Sequence, residues 1–490
     1  MNYLSFDVGT TCCKCQLFSE KGEILEYLSE EYDFRREGEY SYVDIDAVWK
    51  HLKGMLKEVA SRHEVSSVCI SSFGESFVLL DEDDNVIFYP MIYTDPRGEH
   101  EADAVLERFG GEYLFNVTGV LPQSMYSLYK LLWIKNNRPE IFKKGAKVAL
   151  NCDYLGFLLT GKRVIDYGLA ARTGVFDIAE KRFSDEILGE YGLSSSMFSS
   201  PAPTGSVVGK IRQELKEELS LKGDCTLVLG SHDQVCAALG AGVLKEGDAV
   251  DGMGTVECIT TVFSKKPTDV NMGHQGYCCV PYAVDGLYCT YILNYSCGST
   301  VNWLRKGIMH GYKGEEKDFF TYIEKGMKDG PTGILMLPYL GGASTPFQNV
   351  NAKGCFLNLT TDTTDSDIYK AVMEGTAMEM RLNSEVSSAY GVNIKSLVAT
   401  GGGANSEKWL KLKASIQNVP VKTLRSSEGG LCGCAIMQAV AMGQFATLEE
   451  AAGTFIVYGN EYTPENAVYR AYEGQYKKYK KLYQTVKEMY

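Results

Sequence analysis

The sequence predicts an α/β protein made of two similarly folded domains that face each other. The chain has 490 residues, which is too long for one hydrophobic core at about 150 residues per domain. Apolar patterns typical of strands alternate along it with patterns typical of helices. A Gly-Thr pair between two apolar strands occurs at Gly9-Thr10 and again, half a chain length later, at Gly254-Thr255. A repeat at that distance predicts two copies of one domain.

The first predicted element is an antiparallel unit of three strands with glycine turns between them. The strands predicted near the N-terminus are runs bounded by turn residues, and they cover 3–8, 12–18, 24–32, 68–72 and 77–80. A helix lies between the third and fourth of these strands. Its apolar residues recur at helical spacing from Val48 to Val59, behind Asp44 or Asp46 as the capping residue.

The second half opens in the same way, with a strand on each side of the turn 252–255. Two later helices follow from their apolar spacing, the first capped by Ser366 and the second by Asn405 or Ser406. The Ser- and Pro-rich stretch 194–203 is predicted to be a surface loop.

The last predicted helix runs from about residue 465 to the C-terminus and carries a stripe of tyrosines. The stripe advances by three or four residues at each step, through Tyr469, Tyr472, Tyr476, Tyr479, Tyr483, Val486 and Tyr490. The stripe has two interpretations, a coiled-coil seam that joins two subunits of a homodimer and a face that docks on its own domain. Docking is favoured, because tyrosine is a poor residue for a seam.

The composition excludes several classes of partner. The formal net charge is −13, from 49 Lys and Arg against 62 Asp and Glu, which disfavours a nucleic-acid or anionic-membrane partner. No apolar run is long enough to span a bilayer. The N-terminus has no basic start and meets Asp7, so it is not a secretory signal, and we expect a cytoplasmic protein with reduced thiols. Cys12 and Cys15 are predicted to be strand residues, because a zinc site needs a second pair of ligands.

Two glycine turns carry the first candidate chemistry. In Asp7-Val8-Gly9-Thr10-Thr11, the glycine lets backbone N–H groups approach a bound phosphate. Asp7 could hold Mg²⁺ beside that phosphate, and Lys14 could add a positive charge. The turn 252–255 has the same build, so two such hairpins from two domains could clamp one triphosphate. Taken alone, the first motif favours a plain hairpin with surface threonines.

A third glycine segment runs from the apolar strand 398–400 through Gly401-Gly402-Gly403 into a capped helix. Only glycine permits such close approach by a ligand, so the segment predicts the wall of a nucleotide site. It is not the dinucleotide fingerprint, because the spacing differs and no acidic residue follows for a ribose. The alternative is a tight turn between a strand and a helix.

Asp233 follows a strand and a turn and begins a helix, where the helix dipole keeps a carboxylate ionised. Such a group can accept a proton from a substrate hydroxyl during phosphoryl transfer, for which a base of low pKa suffices. The alternative is a helix N-cap, and the residues leave both open. Two other polar turns, Glu75-Ser76 and Asp95-Pro96-Arg97, could bind sugar hydroxyls. Composition alone favours solvated loops for both.

Together these segments resemble the FGGY family of ATP-dependent carbohydrate kinases, over almost the whole chain and in the order of the family. The segments that carry the resemblance are Phe6–Thr11, Met125–Asn137, Gly230–Gln234, Gly252–Thr255, Leu337–Gly342, Gly354–Leu359 and Gly401–Ser406. One departure is Asn358, where a glycine is usual.

The resemblance implies two ribonuclease-H-like domains with a central cleft, as in the actin, Hsp70 and sugar kinase superfamily. It implies a sugar-binding domain over residues 1–244 and an ATP-binding domain over residues 245–490. Asp233 would be the general base, and Asp7 with Asp233 would place Mg²⁺. The ATP-binding residues would be Thr10, Thr11, Lys14, Gly254, Thr255, Gly402, Gly403, Ala404 and Asn405. The substrate-binding residues would be Glu75, Ser76, Asp95, Arg97, Asp233 and Gln234.

The implied reaction is ATP-dependent phosphorylation of a hydroxyl of a small ketose or polyol. Ketopentoses, ketohexoses and deoxyketohexoses remain open. Glu75 with Asp233-Gln234 is similar to the glycerol kinase arrangement, but Gly74 and Met125 stand where an arginine and a tyrosine are usual. The pair at 73–74 is closer to deoxyhexulose kinases, whereas xylulose kinases usually have Met-His at 74–75. The alternatives are an ATP-gated binding module of the Hsp70 or actin type and a catalytically silent sugar sensor.

Overall fold

The structure, a computed structural model, describes residues 1–38, 40–309, 311–315, 318–426 and 428–490. Two large sheets form its framework, one built from strands of each half of the chain. Helices cover these sheets, so the predicted α/β class is confirmed. Among the described residues, no helix combines the length and the hydrophobicity that crossing a bilayer requires.

The strands of the first half are β1 (Asn2–Val8), β2 (Cys12–Ser19), β3 (Ile24–Glu31), β4 (Arg35–Glu37), β5 (Tyr40–Tyr42), β6 (Ser67–Ser72), β7 (Phe77–Leu80), β8 (Val86–Phe88), β9 (Lys147–Leu150), β10 (Val164–Asp166), β11 (Phe176–Asp177), β12 (Arg182–Phe183), β13 (Ser200–Ala202), β14 (Val207–Lys210) and β15 (Thr226–Val228). The helices of the first half are α1 (Ile45–Arg62), α2 (Glu99–Phe109), α3 (Gly111–Thr118), α4 (Ser127–Asn137), α5 (Pro139–Phe142), α6 (Asn151–Thr160), α7 (Tyr167–Ala171), α8 (Asp185–Glu190), α9 (Gln213–Glu218) and α10 (Asp233–Gly240).

The strands of the second half are β16 (Asp248–Met253), β17 (Glu257–Phe263), β18 (Val280–Pro281), β19 (Tyr288–Asn294), β20 (Leu335–Leu337), β21 (Cys355–Leu357), β22 (Ser396–Thr400), β23 (Val421–Leu424) and β24 (Tyr458–Tyr462). The helices of the second half are α11 (Asn271–His274), α12 (Gly298–Trp303), α13 (Phe319–Lys325), α14 (Asp365–Ser388), α15 (Glu407–Gln417), α16 (Gly429–Ala441), α17 (Leu448–Phe455) and α18 (Asn466–Val486).

The first sheet has the strand order β14-β15-β6-β1-β2-β3. Its strands β1, β2 and β3 form the predicted antiparallel unit, while β6 runs parallel to β1. Every residue of β6 is buried, which explains its continuous small and apolar sequence. Helix α1 begins as predicted, because the Asp44 carboxylate accepts a hydrogen bond from the amide of Ala47 at 3.1 Å.

The second sheet repeats this arrangement in the order β18-β19-β17-β16-β22-β23-β24. Strand β16 pairs antiparallel with β17 and parallel with β22, as β1 does with β2 and β6. Each half therefore places a glycine hairpin at the end of a central strand. The repeat predicted from two Gly-Thr pairs is confirmed at the level of sheet topology.

Helices α16 and α17 lie in the second half of the sequence but pack against the first sheet. On α16, the Gln438 amide donates to Ser5 Oγ at 3.2 Å and accepts from Ser67 Oγ at 2.7 Å. Helix α16 also lies very close to α10, because a Cβ atom at Gly433 would come within 2.0 Å of the Cys236 carbonyl oxygen. The two halves thus share a core, and the boundary between residues 244 and 245 stays a prediction.

The cap of α14 differs from the prediction. Thr364 Oγ1 accepts a hydrogen bond from the Asp367 amide at 3.2 Å, and the Asp367 carboxylate accepts one from the Thr364 amide at 3.0 Å. This capping box satisfies two amides at once, so Ser366 is not the cap. Helix α15 is capped by Ser406, one of the two predicted caps, whose Oγ accepts from the Trp409 amide at 3.2 Å.

The stretch 194–203 is not a loop throughout. It contains a short 3₁₀ turn, Ser195–Met197, and then β13, which pairs parallel with β10. The prediction of a surface loop is therefore wrong for the strand, since serine and proline at a sheet edge carry no apolar pattern.

The tyrosine stripe of α18 docks on its own domain, as the favoured interpretation predicts. Tyr472, Tyr476, Tyr479 and Tyr483 are buried. The Tyr479 hydroxyl donates to the Glu379 carboxylate of α14 at 2.5 Å. This face is therefore occupied within one chain, and subunit association stays a prediction.

Candidate active site

The first glycine hairpin presents free backbone amides at the end of β1. The Gly9 amide donates to the Cys12 carbonyl at 2.9 Å, which closes the turn. Among the described residues, none accepts a hydrogen bond from the amides of Thr10 or Thr11. Thr11 is exposed and Thr10 is half-buried. Both predicted phosphate residues can thus offer N–H groups to an anion.

The second glycine hairpin, between β16 and β17, is oriented by the start of α12. The Gly254 carbonyl accepts from the Gly298 amide at 2.9 Å, and the Thr255 carbonyl accepts from the Ser299 amide at 3.1 Å. These contacts hold the carbonyl groups toward α12. Within the described chain, the amides of Gly254 and Thr255 have no acceptor. This hairpin therefore matches the first one as an anion-binding turn.

A cavity of about 1230 Å³ lies beside the second hairpin. Five of the predicted nucleotide residues line it: Gly254, Thr255, Gly402, Gly403 and Asn405. It also has aromatic and basic walls that sequence reasoning missed, formed by Trp303, Lys306, Phe320 and Tyr369. Its size and its mixture of apolar and polar groups suit a nucleotide.

Two different physical causes explain the glycines at positions 401 and 402 of the wall. Gly401 has a φ of +81°, and a Cβ there would lie 2.8 Å from the Met253 carbonyl oxygen, so packing alone requires glycine. A Cβ at Gly402 would meet nothing within 4 Å. Gly402 is therefore open toward the cavity, which leaves room for a ligand at that point.

Four predicted ATP-binding residues lie outside the wall of this cavity. Ala404 belongs to the same 3₁₀ turn as Gly402, and Thr10, Thr11 and Lys14 belong to the first domain. The Lys14 ammonium is 3.2 Å from the Glu428 carboxylate, at the start of α16. Their contact with ATP stays a prediction, and Lys14 would have to exchange Glu428 for a phosphate.

Asp7, near the end of β1, and Asp233, at the start of α10, bring two carboxyl groups together. Burial, and next the charge of Asp233, raise the pKa of Asp7 to about 7. Among the described residues, none donates a hydrogen bond to the enclosed Oδ1 atom of either carboxyl group. Two unsatisfied carboxylate oxygens fit a divalent cation such as Mg²⁺, which would take its other ligands from water or phosphate. No cluster of three acidic, His or Cys ligands occurs within the described chain.

Asp233 is the first residue of α10, as predicted, but its pKa is not low. Burial raises the pKa of Asp233 to about 6, against the opposing effects of the Gln234 amide and of Arg172. The helix dipole alone predicted a lower value, because the sequence does not show the burial. The group is still mainly ionised at neutral pH, so it can act as a base. Gln234, the next residue, is half-buried.

The Glu75-Ser76 turn is buried, so the solvated loop that composition favoured is wrong. Glu75 is only 2% exposed, and its carboxylate forms an ion pair with Arg172. Its φ of +65° is unusual for a residue with a side chain and is typical of functional sites. Ser76 is fully buried, with no partner for its hydroxyl among the described residues.

Asp95 and Arg97 are also buried, and they bind each other. An Arg97 Nη atom is 2.6 Å from an Asp95 oxygen, and another Nη atom donates to the Tyr42 hydroxyl at 2.8 Å. The Arg97 guanidinium lies 4.0 Å from the centre of the Tyr40 ring. This side chain is therefore largely satisfied by the protein, and a contact of either residue with substrate stays a prediction.

Sequence reasoning missed the residues that connect Glu75 to Asp233. The Arg172 guanidinium lies 5.1 Å from the Tyr126 ring and 5.5 Å from the ring of Tyr291, which belongs to the second domain. The Tyr291 hydroxyl is 3.5 Å from His232 Nδ1. Burial, followed by the charge of Arg172, lowers the pKa of His232 to about 4, so this ring is neutral. The one signal in the sequence was an arginine directly after the small apolar helix α7.

Both parts of the chain match known proteins. Residues 2–240 match the N-terminal domain, and residues 252–442 the C-terminal domain, of the FGGY family of carbohydrate kinases. The xylulose kinase of Staphylococcus epidermidis is 25% identical, over 99% of this chain and 97% of its own. The gluconokinase of Bacillus subtilis is 25% identical, over 91% of this chain and 88% of its own.

A crystal structure of the xylulose kinase from Rhodospirillum rubrum superposes with a TM-score of 0.91 at 23% identity, covering 100% of this chain and 99% of that one. The likeness confirms the two-domain sugar kinase fold. The matched ranges include both glycine hairpins and the glycine wall. The chain belongs to the FGGY family of carbohydrate kinases.

Proposed function

We propose that this chain transfers the γ-phosphate of ATP to a hydroxyl of a neutral ketose or polyol, with Asp233 as the general base. The observation that carries the proposal is the position of Asp233. Its partly buried carboxyl group lies beside Asp7, just before the first phosphate hairpin. The charges of Asp233 and of Glu75 both act on Tyr93, so these two carboxyl groups face one region. A base there can reach both a phosphate acceptor and the polar groups that would hold it.

The chain's own residues supply binding, orientation and proton transfer. Asp233 would take the proton of the attacking hydroxyl as its oxygen bonds to the γ-phosphorus and the bond from that phosphorus to the leaving ADP breaks. The free amides of both hairpins would hold the phosphates in line. Mg²⁺, held by Asp7 and Asp233, would neutralise charge on the transferred phosphate. Tyr291 extends from the second domain to His232 of the first, so approach of the two domains would exclude water from the acceptor.

The charges around Asp233 support a neutral substrate. Three carboxyl groups, those of Asp7, Glu75 and Asp233, lie in this region. The positive charge of Arg172 is already neutralised by Glu75, and His232 is uncharged at neutral pH. A sugar acid would find no unpaired positive charge on Arg172 or His232 for its carboxylate, whereas a neutral sugar would find buried donors and acceptors. The charge of the site thus favours neutral sugars such as xylulose over sugar acids such as gluconate.

The test is an ADP-release assay with Mg²⁺ and ATP across ketopentoses, ketohexoses, deoxyketohexoses, polyols and aldonates. We expect turnover with one or more neutral members, and identification of the phosphorylated product completes the assignment. Turnover restricted to aldonates would refute the argument from charge. ATP turnover that a peptide stimulates and no sugar affects would instead support a binding module.

A further inference from the structure

A buried lysine on α15 joins both ends of the second phosphate hairpin. The Lys413 ammonium forms ion pairs with Asp251 and with Glu257. The exposed fractions of the three side chains are 1% for Lys413, 0% for Asp251 and 1% for Glu257. Although burial opposes its charge, the two carboxyl groups raise the pKa of Lys413 above its usual range. The cation is therefore retained inside the domain.

The two acids flank the hairpin on its two strands. Asp251 lies near the end of β16, and Glu257 is the first residue of β17, opposite Met253. One ammonium thus binds the strand before the turn and the strand after it. The amides of Gly254 and Thr255 lie between these two attachments.

Lys413 also connects the hairpin to the glycine wall of the cavity. It lies on α15, the helix that begins directly after the 3₁₀ turn of that wall. Gly401 packs against the Met253 carbonyl, so the wall and the hairpin already touch. The lysine therefore fixes the relative position of two neighbouring segments that both line one cavity.

Stability alone does not account for three buried charged groups. An apolar cluster of similar volume is often as stable as a buried ion pair, because removing charges from water is costly. What directed ion pairs add is geometry, since each bond fixes the direction of its partner. A position below an anion-binding turn is one where fixed geometry serves binding.

We propose that Lys413, with Asp251 and Glu257, is a positioning clamp for the nucleotide site. The clamp holds the amides of Gly254 and Thr255 at a fixed distance from the glycine wall, so that one nucleotide meets both at once. The proposal rests on the proposed function, because it names what orients the ATP-binding loop. None of the three side chains needs to touch the nucleotide.

The experiment compares Lys413→Met, Asp251→Asn and Glu257→Gln with the unchanged protein. The readouts are ADP affinity by titration calorimetry with Mg²⁺, the KM values for ATP and sugar, kcat, and the urea midpoint. We expect ADP affinity to fall and the KM for ATP to rise by about tenfold to a hundredfold in Lys413→Met. Asp251→Asn and Glu257→Gln leave no new orphan charge and should show smaller changes of the same sign. The KM for sugar should stay within about twofold in all three.

Lys370→Met is the matched control. Lys370 is a buried lysine of the same domain, on α14, whose ammonium binds the backbone carbonyls of Lys328 and Gly330. It should lower the urea midpoint without changing ADP affinity. If the clamp only stabilises the fold, Asp251→Asn and Glu257→Gln would also lower the urea midpoint and leave ADP affinity unchanged. That result would overturn the proposal even if Lys413→Met failed to fold.

The two levels of the proposal fail differently. If the unchanged protein binds no ADP and turns over no sugar, the proposed function is wrong and the clamp falls with it. If the unchanged protein does both, and the clamp variants bind ADP as it does, only the clamp is refuted.

Discussion

Asp233→Asn should weaken catalysis and stabilise the ligand-free protein at the same time. The amide has the shape of the carboxyl group but cannot accept the proton of a hydroxyl, so kcat should fall by about 10²–10⁴-fold. Its effect on stability follows from the pKa of Asp233, which burial raises from 3.8 to about 6. A carboxylate that the fold destabilises in this way costs free energy that an amide does not.

The magnitude depends on how far water reaches the group. For a fully enclosed carboxyl, this change in pKa corresponds to about 3 kcal/mol. The Asp233 side chain is 34% exposed, so solvent screening reduces the expected gain to about 1–2 kcal/mol. The folded protein keeps this proton up to about pH 6 and the unfolded chain loses it near pH 4. The Asp233 carboxyl therefore makes the unchanged protein lose stability as pH rises through that window, and the variant lacks this one contribution.

The assay pairs ADP release with urea unfolding in EDTA at pH 4.5 and pH 7.5. Asp153→Asn is the control, because burial raises the pKa of that carboxyl to about 7, in the same domain but on α6. It should leave kcat unchanged. Near-normal turnover of Asp233→Asn would remove Asp233 as the base, and an unfolding midpoint below that of the unchanged protein at pH 7.5 would refute the account of its burial.

Two other predictions address the cavity and the C-terminal helix. Gly402→Val should leave the free energy of unfolding in urea within about 0.5 kcal/mol, since a Cβ there meets nothing within 4 Å. It should weaken ADP binding by about tenfold or more, and unchanged ADP affinity in calorimetry would remove Gly402 from the nucleotide site. Glu379→Gln removes a carboxyl whose pKa burial raises to about 7. The folded protein binds the extra proton, so its stability falls between about pH 4.5 and pH 7, and the variant should gain up to about 3 kcal/mol relative to it across that window. Parallel stability curves of the two proteins would contradict this.

The framework can be predicted from the sequence because the spacing of apolar residues and the residue types of turns are local signals. The hairpins at Gly9 and Gly254, the cap at Asp44 and the position of Asp233 at a helix start all follow from a few neighbouring residues. The predicted parts of the nucleotide wall follow in the same way, because three glycines directly after a strand indicate close approach of a ligand to the backbone.

The parts that could not be predicted depend on contacts between distant segments. Glu75 becomes a buried ion rather than a loop residue only when Arg172 lies against it, and 97 residues separate the two in sequence. The pKa of Asp233 is set by burial, which no local pattern reports. Lys413 did carry a signal, a charge four residues after Trp409 on the apolar face of α15, but its partners come from β16 and β17.

The return of α16 and α17 to the first sheet has a consequence for engineering. A gene cut between residues 244 and 245 would encode a first fragment without the layer that covers β1 and β6. That fragment would expose apolar surface and aggregate. Chimaeras between relatives should therefore exchange residues 429–455 together with the N-terminal half, so that the donor's sheet keeps the helices that evolved against it.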